Sequence, residues 1–170
     1  MKNLTIILFL TFTSLAKCQD ANIITETEYN NIKINNHKLS IIKDTNGAKT
    51  AIENLFGTSV SEIDPDGDFY NYNFDGFNIG FSAIISNATH NNPIISKFEI
   101  TNDNWSITIK GVTVKVGQNI NLLGNVIFNT NSRSSESILY MYCDGCNNLI
   151  GIDFNQITKI ITKIYFIEFT

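Results

Sequence analysis

Alternation of apolar and polar residues is the feature that most constrains the fold of this chain of 170 residues. It starts at about Glu28, is clearest where Trp105, Ile107 and Ile109 alternate with polar residues, and resumes over residues 112–116. A period of two places successive side chains on opposite faces of a strand. The sequence therefore predicts an α+β fold, a predominantly antiparallel β-sheet with one or two short helices. The pattern also predicts five buried core residues: Phe98, Ile100, Ile107, Ile109 and Val114.

Two short helices interrupt the predicted strands. Thr45 or Asn46 is suited to cap a helix over residues 48–55, which would end at Gly57. A second and shorter helical segment would end at Gly124. Before the first helix, the sequence predicts a hairpin with strands at residues 32–34 and 39–41 and a turn at Asn35-Asn36.

The chain presents the same order of segments twice, which predicts two related halves, residues 28–103 and 104–170. Both halves begin with a hairpin and continue with a helix, a hairpin and a strand. A repeated order of this kind indicates a duplicated unit, although each short motif alone is common. The matching segments are residues 55–57 with 122–124, 74–77 with 143–146, 79–81 with 150–152, and 95–98 with 161–164.

This layout resembles the small α+β envelope proteins of the outer-membrane assembly lipoprotein and β-lactamase-inhibitor-protein type. Leu55-Phe56-Gly57, Leu122-Leu123-Gly124 and the strands that carry tyrosine and Asp-Gly are the motifs behind the resemblance, over roughly residues 28–170. The leading hairpins depart from the pattern of that family. The resemblance implies a binding protein without catalysis, and it assigns no role to any single residue.

Residues 1–18 are typical of a signal peptide, so we expect residues 19–170 to form one exported domain in the periplasm or outside the cell. Lys2 is followed by an apolar run over residues 4–12 and by small residues up to Ala16. Cleavage after Ala16 or after Cys18 fits this order. A third alternative is a lipid anchor on Cys18, although Lys17 stands where a lipoprotein signal has a small residue.

The charge argues against nucleic acid as a partner, and the hydropathy argues against a transmembrane segment. The net charge of −4 would become −6 without Lys2 and Lys17, and the single arginine is Arg133. An acidic chain of this kind lacks the basic surface that nucleic acids require. After the signal, no run approaches the roughly 20 apolar residues of a transmembrane helix.

Cys143 and Cys146 flank Asp144-Gly145, a pair that favours a two-residue hairpin turn. The flanking residues predict strands, whereas a redox Cys-Xaa-Xaa-Cys motif opens a helix that lowers its thiol pKa. We therefore expect a structural disulfide between Cys143 and Cys146 in an exported protein.

An acidic segment at residues 62–68 is the other place where chemistry could be expected. Asp64, Asp66 and Asp68 alternate as in a calcium loop, but Phe69 stands where such a loop needs glycine. An acidic turn is the better interpretation, and the sequence predicts no metal site and no cofactor. The two histidines lie in Asn-rich segments far apart in the sequence, which does not suit zinc.

Four tyrosines complete the set of candidate residues. Tyr70 and Tyr72 share one face of a predicted strand, and Tyr140 and Tyr142 share one face of another. They would either pack within the sheet or form an exposed binding surface, since tyrosine is enriched at protein interfaces.

The function that these observations favour is an exported, non-catalytic envelope protein that binds another envelope or secreted protein through its sheet face. The alternative is a secreted carbohydrate-binding protein or hydrolase that uses the acidic loop 62–68 and the nearby tyrosines. No nucleophile motif supports acyl transfer.

Overall fold

A computed structural model describes residues 21–63, 69–82, 85–86, 89–90, 94–130, 136–142 and 148–168. The predicted signal peptide, the three loop aspartates and both hairpin cysteines lie outside these residues. The described helices are α1 (Glu26–Asn30), α2 (Leu39–Asp44), α3 (Lys49–Phe56) and a 3₁₀ helix (Ile120–Leu123). The described strands are β1 (Asn22–Ile23), β2 (Lys33–Ile34), β3 (His37–Lys38), β4 (Val60–Ile63), β5 (Phe69–Phe74), β6 (Phe77–Ser82), β7 (Ile85–Ser86), β8 (Thr89–His90), β9 (Ile94–Ile100), β10 (Ser106–Ile109), β11 (Val112–Lys115), β12 (Phe128–Thr130), β13 (Glu136–Met141), β14 (Asn148–Phe154) and β15 (Ile161–Glu168).

The strands form one large sheet and one small sheet, and the predicted α+β class is confirmed. In the large sheet the order is β1-β13-β14-β15-β9-β6-β5-β4, and β12 also pairs with β13. All its pairings are antiparallel except that of β1 with β13. The small sheet has the order β11-β10-β2-β3, and β7 pairs with β8 separately.

The core lies between one face of the large sheet and the small sheet with the helices. We call the core side of the large sheet its inner face and the opposite side its outer face. Aromatic contacts join the layers: the ring of Tyr29 on α1 lies 6.4 Å from that of Phe166 on β15, and the ring of Phe56 on α3 lies 5.2 Å from that of Phe77 on β6. The five residues predicted to form the core are buried, which confirms that prediction: Phe98, Ile100, Ile107, Ile109 and Val114.

The pairing registers relate the two halves of the large sheet by a local twofold axis. At its centre, Glu99 of β9 lies opposite Tyr165 of β15. Rotation about this pair exchanges β9 with β15 and carries the order β4-β5-β6-β9 onto β12-β13-β14-β15. The small sheet has the same symmetry of order, with β2 and β10 at its centre. This geometry fits the predicted pair of related halves, whose origin by duplication and exact bounds stay a prediction.

The ladders also define which positions are equivalent, and they correct one sequence match. Ile79 lies opposite Phe98, and Ile152 lies opposite Ile164, so Ile79 is equivalent to Ile152. The match of residues 79–81 with 150–152 is therefore wrong by two residues. A bulge fixes the correct alignment, because the register shifts after Gly80 in one ladder and after Asp153 in the other. A shift of two keeps the same faces apolar, which is why the sequence pattern did not reveal it.

The region around the first hairpin differs from its prediction. The strand expected at residues 39–41 is helix α2, in which Leu39 and Ile42 are buried and Ile41 is exposed. Residues three apart share a helix face, so Ile42 takes the core position that a strand would give to Ile41. Thr45 follows α2, and Ala48 precedes α3 without a side-chain cap, so the predicted cap is also wrong.

The ends of the two related helices agree with the sequence. Gly57 follows α3 with φ 93° and ψ −172°, and Gly124 follows the 3₁₀ helix with φ 72° and ψ −144°. Positive φ angles are readily adopted by glycine, which lacks Cβ. The prediction that these two glycines end the helices is confirmed.

Candidate functional site

The predicted tyrosine surface faces the core. Tyr72 is 1% exposed and Tyr140 is 4% exposed, and both belong to the buried cluster. The row that contains them also contains Ile79, Phe98 and Phe166, all buried on the inner face. The prediction of an exposed binding surface is wrong for these two tyrosines, because the face that they share is the one that the small sheet and the helices cover.

The other two tyrosines are half-buried against the same core. Tyr70 packs against the cluster from β5, and the ring of Tyr142 lies 5.7 Å from that of Tyr29. The hydroxyl of Tyr72 donates a hydrogen bond to the carbonyl of Gly47, which fastens the loop before α3. These tyrosines therefore support packing, the alternative that the sequence left open.

The pairing register of β13 and β14 bears on the predicted cysteine hairpin, although Cys143 and Cys146 themselves lie outside the described residues. A two-residue turn at Asp144-Gly145 requires Met141 opposite Asn148 in an uninterrupted ladder. The described ladder places Met141 opposite Leu149 instead. The ladder is one residue out of the register in which the two cysteines would pair directly, and the disulfide stays a prediction.

Within the described part of the chain, no group of three or more histidine, cysteine, aspartate or glutamate residues could hold a metal ion. The calcium candidates Asp64, Asp66 and Asp68 are outside that part. Glu62, the first residue of the acidic loop, is exposed at the end of β4. The tyrosines assigned to work with this loop face inward, so the described residues do not bring the predicted carbohydrate site together.

A row of apolar side chains runs across the outer face of the second half. Ile23, Met141, Leu149 and Ile167 are cross-strand neighbours on β1, β13, β14 and β15. Opposite residues point to the same side of a sheet, and this row alternates with the buried row of Tyr140 and Ile150. We call these four residues the outer apolar row. Ile23 and Ile167 are exposed, and the other two are half-buried.

The row continues into Lys97, which lies opposite Ile167 on β9. A cluster of charged residues lies farther along the same face, on the other side of Tyr165. The ammonium of Lys163 lies 3.6 Å from a carboxylate oxygen of Glu99 and 3.9 Å from one of Asp153. Lys163 also lies 5.2 Å from the ring centroid of Tyr165. Burial raises the pKa of Asp153, an effect that Lys163 opposes and Glu99 reinforces. These contacts form a compact, partly desolvated charge cluster on the outer face, separated from the outer apolar row by Gly151 and Tyr165.

Gly151 explains how Tyr165 lies in this face. A Cβ atom at Gly151 would stand 2.1 Å from Cζ of Tyr165, so the ring lies directly over the glycine. The burial that this contact provides raises the pKa of Tyr165, with a smaller contribution from Asp153. The arrangement presents a flat aromatic surface next to the apolar row.

A pocket of about 330 Å³ opens between the β10–β11 turn, the 3₁₀ helix, β1 and β13. Its lining includes five aliphatic residues: Ile109, Val112, Leu123, Val126 and Ile127. Tyr140, Lys110, Asn22 and Asn125 supply polar groups, and Ile23 borders both the pocket and the outer face. We call this cavity the aliphatic pocket.

The equivalent place in the first half holds a more open depression of about 280 Å³. Asn35, Phe56, Thr58 and Phe74 are the equivalents of Lys110, Leu123, Asn125 and Tyr140. The rings of Phe56 and Phe74 lie 5.7 and 5.6 Å from Trp105, whose indole N–H donates to the carbonyl of Asp75. Aromatic rings thus occupy much of the space that stays open in the second half.

Sequence reasoning missed both the outer apolar row and the aliphatic pocket. The available signal was the continuous apolar run at residues 138–142, which departs from alternation and indicates a strand with apolar groups on both faces. Nothing in the sequence pattern indicates the pocket, because its lining comes from five separate segments.

Comparison of the chain with protein-family models, with curated proteins and with solved structures found no match. The resemblance to the outer-membrane assembly lipoprotein type therefore stays a prediction. Among the described residues, no helix is long and apolar enough to cross a membrane.

Proposed function

We propose that this chain is an exported, non-catalytic binding protein that recognises another protein through the outer face of its large sheet. The observation that carries the proposal is the outer apolar row, which shares its face of the sheet with the charge cluster of Glu99, Asp153 and Lys163. A contiguous apolar patch edged by polar groups is the usual form of a protein-binding surface.

The two halves of the sheet differ at the positions that matter for this proposal. By register, Asp75, Gly76 and Thr101 are the first-half equivalents of Met141, Leu149 and Ile167. None of the three is a large apolar residue. The equivalent core positions, in contrast, are apolar in both halves. Asp75 and Gly76 form the turn between β5 and β6, and Thr101 follows the end of β9, so the outer apolar row lies on a strand extension that the first half lacks. An apolar row on an extension that the common fold does not require supports a role in binding.

The charge cluster would give such an interface orientation. Its net charge is −1, and Lys163 is held between two carboxylates, so a partner gains from a basic group placed against Glu99 or Asp153. Charged groups at the edge of an interface contribute mainly to specificity and association rate. The apolar row would supply most of the affinity.

Site-specific photocrosslinking in the cells that produce the protein tests this proposal. A photoreactive side chain at position 167, which is 37% exposed, should yield one discrete heteromeric adduct. The matched control is position 157, a turn residue that is 92% exposed and belongs to neither face. Leu149→Glu should abolish the adduct from position 167, whereas Ile157→Glu should leave it unchanged.

The variants must first be shown to fold, by a circular dichroism spectrum and a melting temperature close to those of the unmodified protein. The same adducts from positions 157 and 167, or none from position 167, would overturn the proposal. An adduct of twice the monomer mass would replace the separate partner by a second copy of the chain.

Export is the part of the proposal that rests on the sequence. Mass spectrometry of the protein recovered from outside the cytoplasm should find an N-terminus between Lys17 and Gln19. A diacylglycerol mass on Cys18 would show that the exported protein is lipid-anchored. Retention of Met1 in a cytoplasmic pool would contradict export.

Carbohydrate binding is a second candidate, now favoured by the aromatic depression of the first half. The amide of Asn104 donates to the carboxylate of Asp75 at 3.1 Å, next to the half-buried rings of Phe56 and Phe74. Aromatic faces with neighbouring amide and carboxylate groups suit a sugar. A glycan array should then give signals that Phe74→Ala removes, with Leu149→Glu as the control variant.

A further inference from the structure

The lining of the aliphatic pocket favours ligands with an alkyl chain. Six of its lining residues are aliphatic, and Tyr140 is its one aromatic residue. Its volume of about 330 Å³ lies at the lower end of the range for small-molecule sites. Flat aromatic compounds gain little from such walls, whereas an alkyl chain matches them.

Tyr140 supplies a polar group at this apolar site. The residue is 96% buried, and its hydroxyl makes no hydrogen bond to any other residue in the described part of the chain. Burial raises the pKa of Tyr140 to about 12, so the phenol keeps its proton at neutral pH. The hydroxyl keeps contact with solvent, because it is not one of the fully buried polar atoms that lack a partner, so a ligand oxygen would accept its hydrogen bond in place of water.

Asn22 differs from Tyr140 because its amide is fully engaged in the wall. Its nitrogen donates to the carbonyls of Ile127 and Leu139, and its oxygen accepts from the amide of Ile127. These three bonds fasten β1 and the segment before β12 to the sheet. The pocket is therefore a built feature with rigid walls on this side.

Lys110 places a cation at the pocket. It occupies the first position of the β10–β11 turn with φ 52°, a conformation that lysine adopts rarely. The equivalent turn residue in the first half is Asn35, a residue better suited to φ 51°. The ammonium of Lys110 lies 3.4 Å from Glu28 and is half exposed, so a ligand anion can reach it.

We propose that the aliphatic pocket binds a small aliphatic carboxylate, with its alkyl chain between Leu123, Val126 and Ile127 and its carboxylate near Lys110 and the Tyr140 hydroxyl. The comparison within the chain supports this assignment. The equivalent depression of the first half is lined by the rings of Phe56 and Trp105, and it has Asn35 in place of the cation. A pocket with an aliphatic lining and a cation is thus particular to the second half.

Decanoate is the probe. It is titrated into the purified protein in the form that remains after processing in the cell. Isothermal calorimetry should show saturable 1:1 binding with a Kd on the order of 1 mM or tighter. Decanol should bind more weakly and decylamine weakest of all, because Lys110 repels an ammonium. Equal binding of all three would show adsorption to apolar surface and would overturn the proposal, as would the absence of saturable binding.

Three variants with matched controls locate the site. Leu123→Trp should fill the pocket and weaken decanoate at least 10-fold, whereas Leu122→Trp at the exposed neighbour should change it less than 2-fold. Tyr140→Phe should weaken decanoate about 10-fold, and Tyr142→Phe should not. Lys110→Gln should reduce the preference for decanoate over decanol.

Tyr140→Phe tests the site even if the tryptophan variant does not fold, because this substitution removes only an oxygen atom. Unchanged decanoate affinity in both Tyr140→Phe and Lys110→Gln would refute the assignment of the carboxylate. These results are independent of the outer-face proposal, whose crosslinks should persist in both variants.

Discussion

Phe98→Ala removes the side chain on which the junction between the two halves depends. Phe98 lies on β9, 1% exposed, directly opposite Phe166 on β15. The two rings stack with their centroids 5.5 Å apart and their planes at 19°. On the other side, Phe98 lies opposite Ile79 of β6. The substitution leaves a cavity between the two central strands and the strand beside them.

The expected loss of stability follows from this burial. Truncation of a fully buried phenylalanine costs about 3–5 kcal/mol, from lost transfer energy and from the cavity. The stacked pair contributes about 0.5–1.5 kcal/mol of that amount. For a domain of this size, a loss of 1 kcal/mol lowers the melting temperature by about 2–4 °C, so we expect a decrease of roughly 6–20 °C.

Urea unfolding followed by circular dichroism and by Trp105 fluorescence measures the effect. Both signals should change in one transition, because the β9–β15 pair joins the halves into one sheet. Lys97→Ala, the exposed neighbour on the outer face, is the control and should cost less than about 0.5 kcal/mol. A double-mutant cycle with Phe166→Ala should give a coupling of about 0.5–1.5 kcal/mol. A cost below about 1 kcal/mol for Phe98→Ala, or two separate transitions in the unmodified protein, would refute the central pairing.

Three other predictions concern the N-terminal cap of α1, the carboxyl group of Asp153 and the two hairpin cysteines. Thr25→Ala should cost about 1 kcal/mol in urea unfolding, since Thr25 forms a reciprocal capping box with Glu28 at the start of α1; no change would contradict that cap. Burial raises the pKa of Asp153 above 3.8, so its contribution to stability is complete below pH 3.8 and is lost as the pH rises through the raised value. The free energy of unfolding of the unmodified protein relative to Asp153→Asn should therefore decrease from pH 3 to pH 7, and an increase would contradict the assigned direction. Replacement of Cys143 and Cys146 by serine should cost about 2 kcal/mol if they form a disulfide, and thiol labelling of the exported protein that modifies both cysteines would exclude the bond.

Alternation in the sequence was sufficient to predict the class of the fold and much of its core. It could not decide which of two compatible periods applies to a short segment. Leu39 and Ile41 are two residues apart and fit one face of a strand. Leu39 and Ile42 are three residues apart and fit one face of a helix. The structure selects the helix, which places Leu39 and Ile42 in the core and leaves Ile41 exposed. That choice depends on the layer against which the segment packs, which is information from outside the segment.

The same limit explains the tyrosines. Alternation shows that Tyr70 and Tyr72 share a face, but it does not show whether that face is covered. The pairing of β5 with β6 places Tyr72 opposite Ile79, and the hydroxyl of Tyr72 reaches the loop before α3. Long-range pairing therefore decides the role of the residue. The candidate surfaces come from the same pairing, since the outer apolar row spans four strands that are distant in sequence.

Comparison of the two halves separates residues that the fold requires from residues that it leaves free. The fold requires apolar side chains at inner positions in both halves, as at Phe81 and Phe154, which follow the equivalent bulges. On the outer face, Ile167 lies within β15, whereas its equivalent Thr101 is polar and follows the end of β9. An apolar residue that packing demands should recur at its equivalent position, and Ile167 does not. This asymmetry of the outer face supports the proposal that a partner binds there.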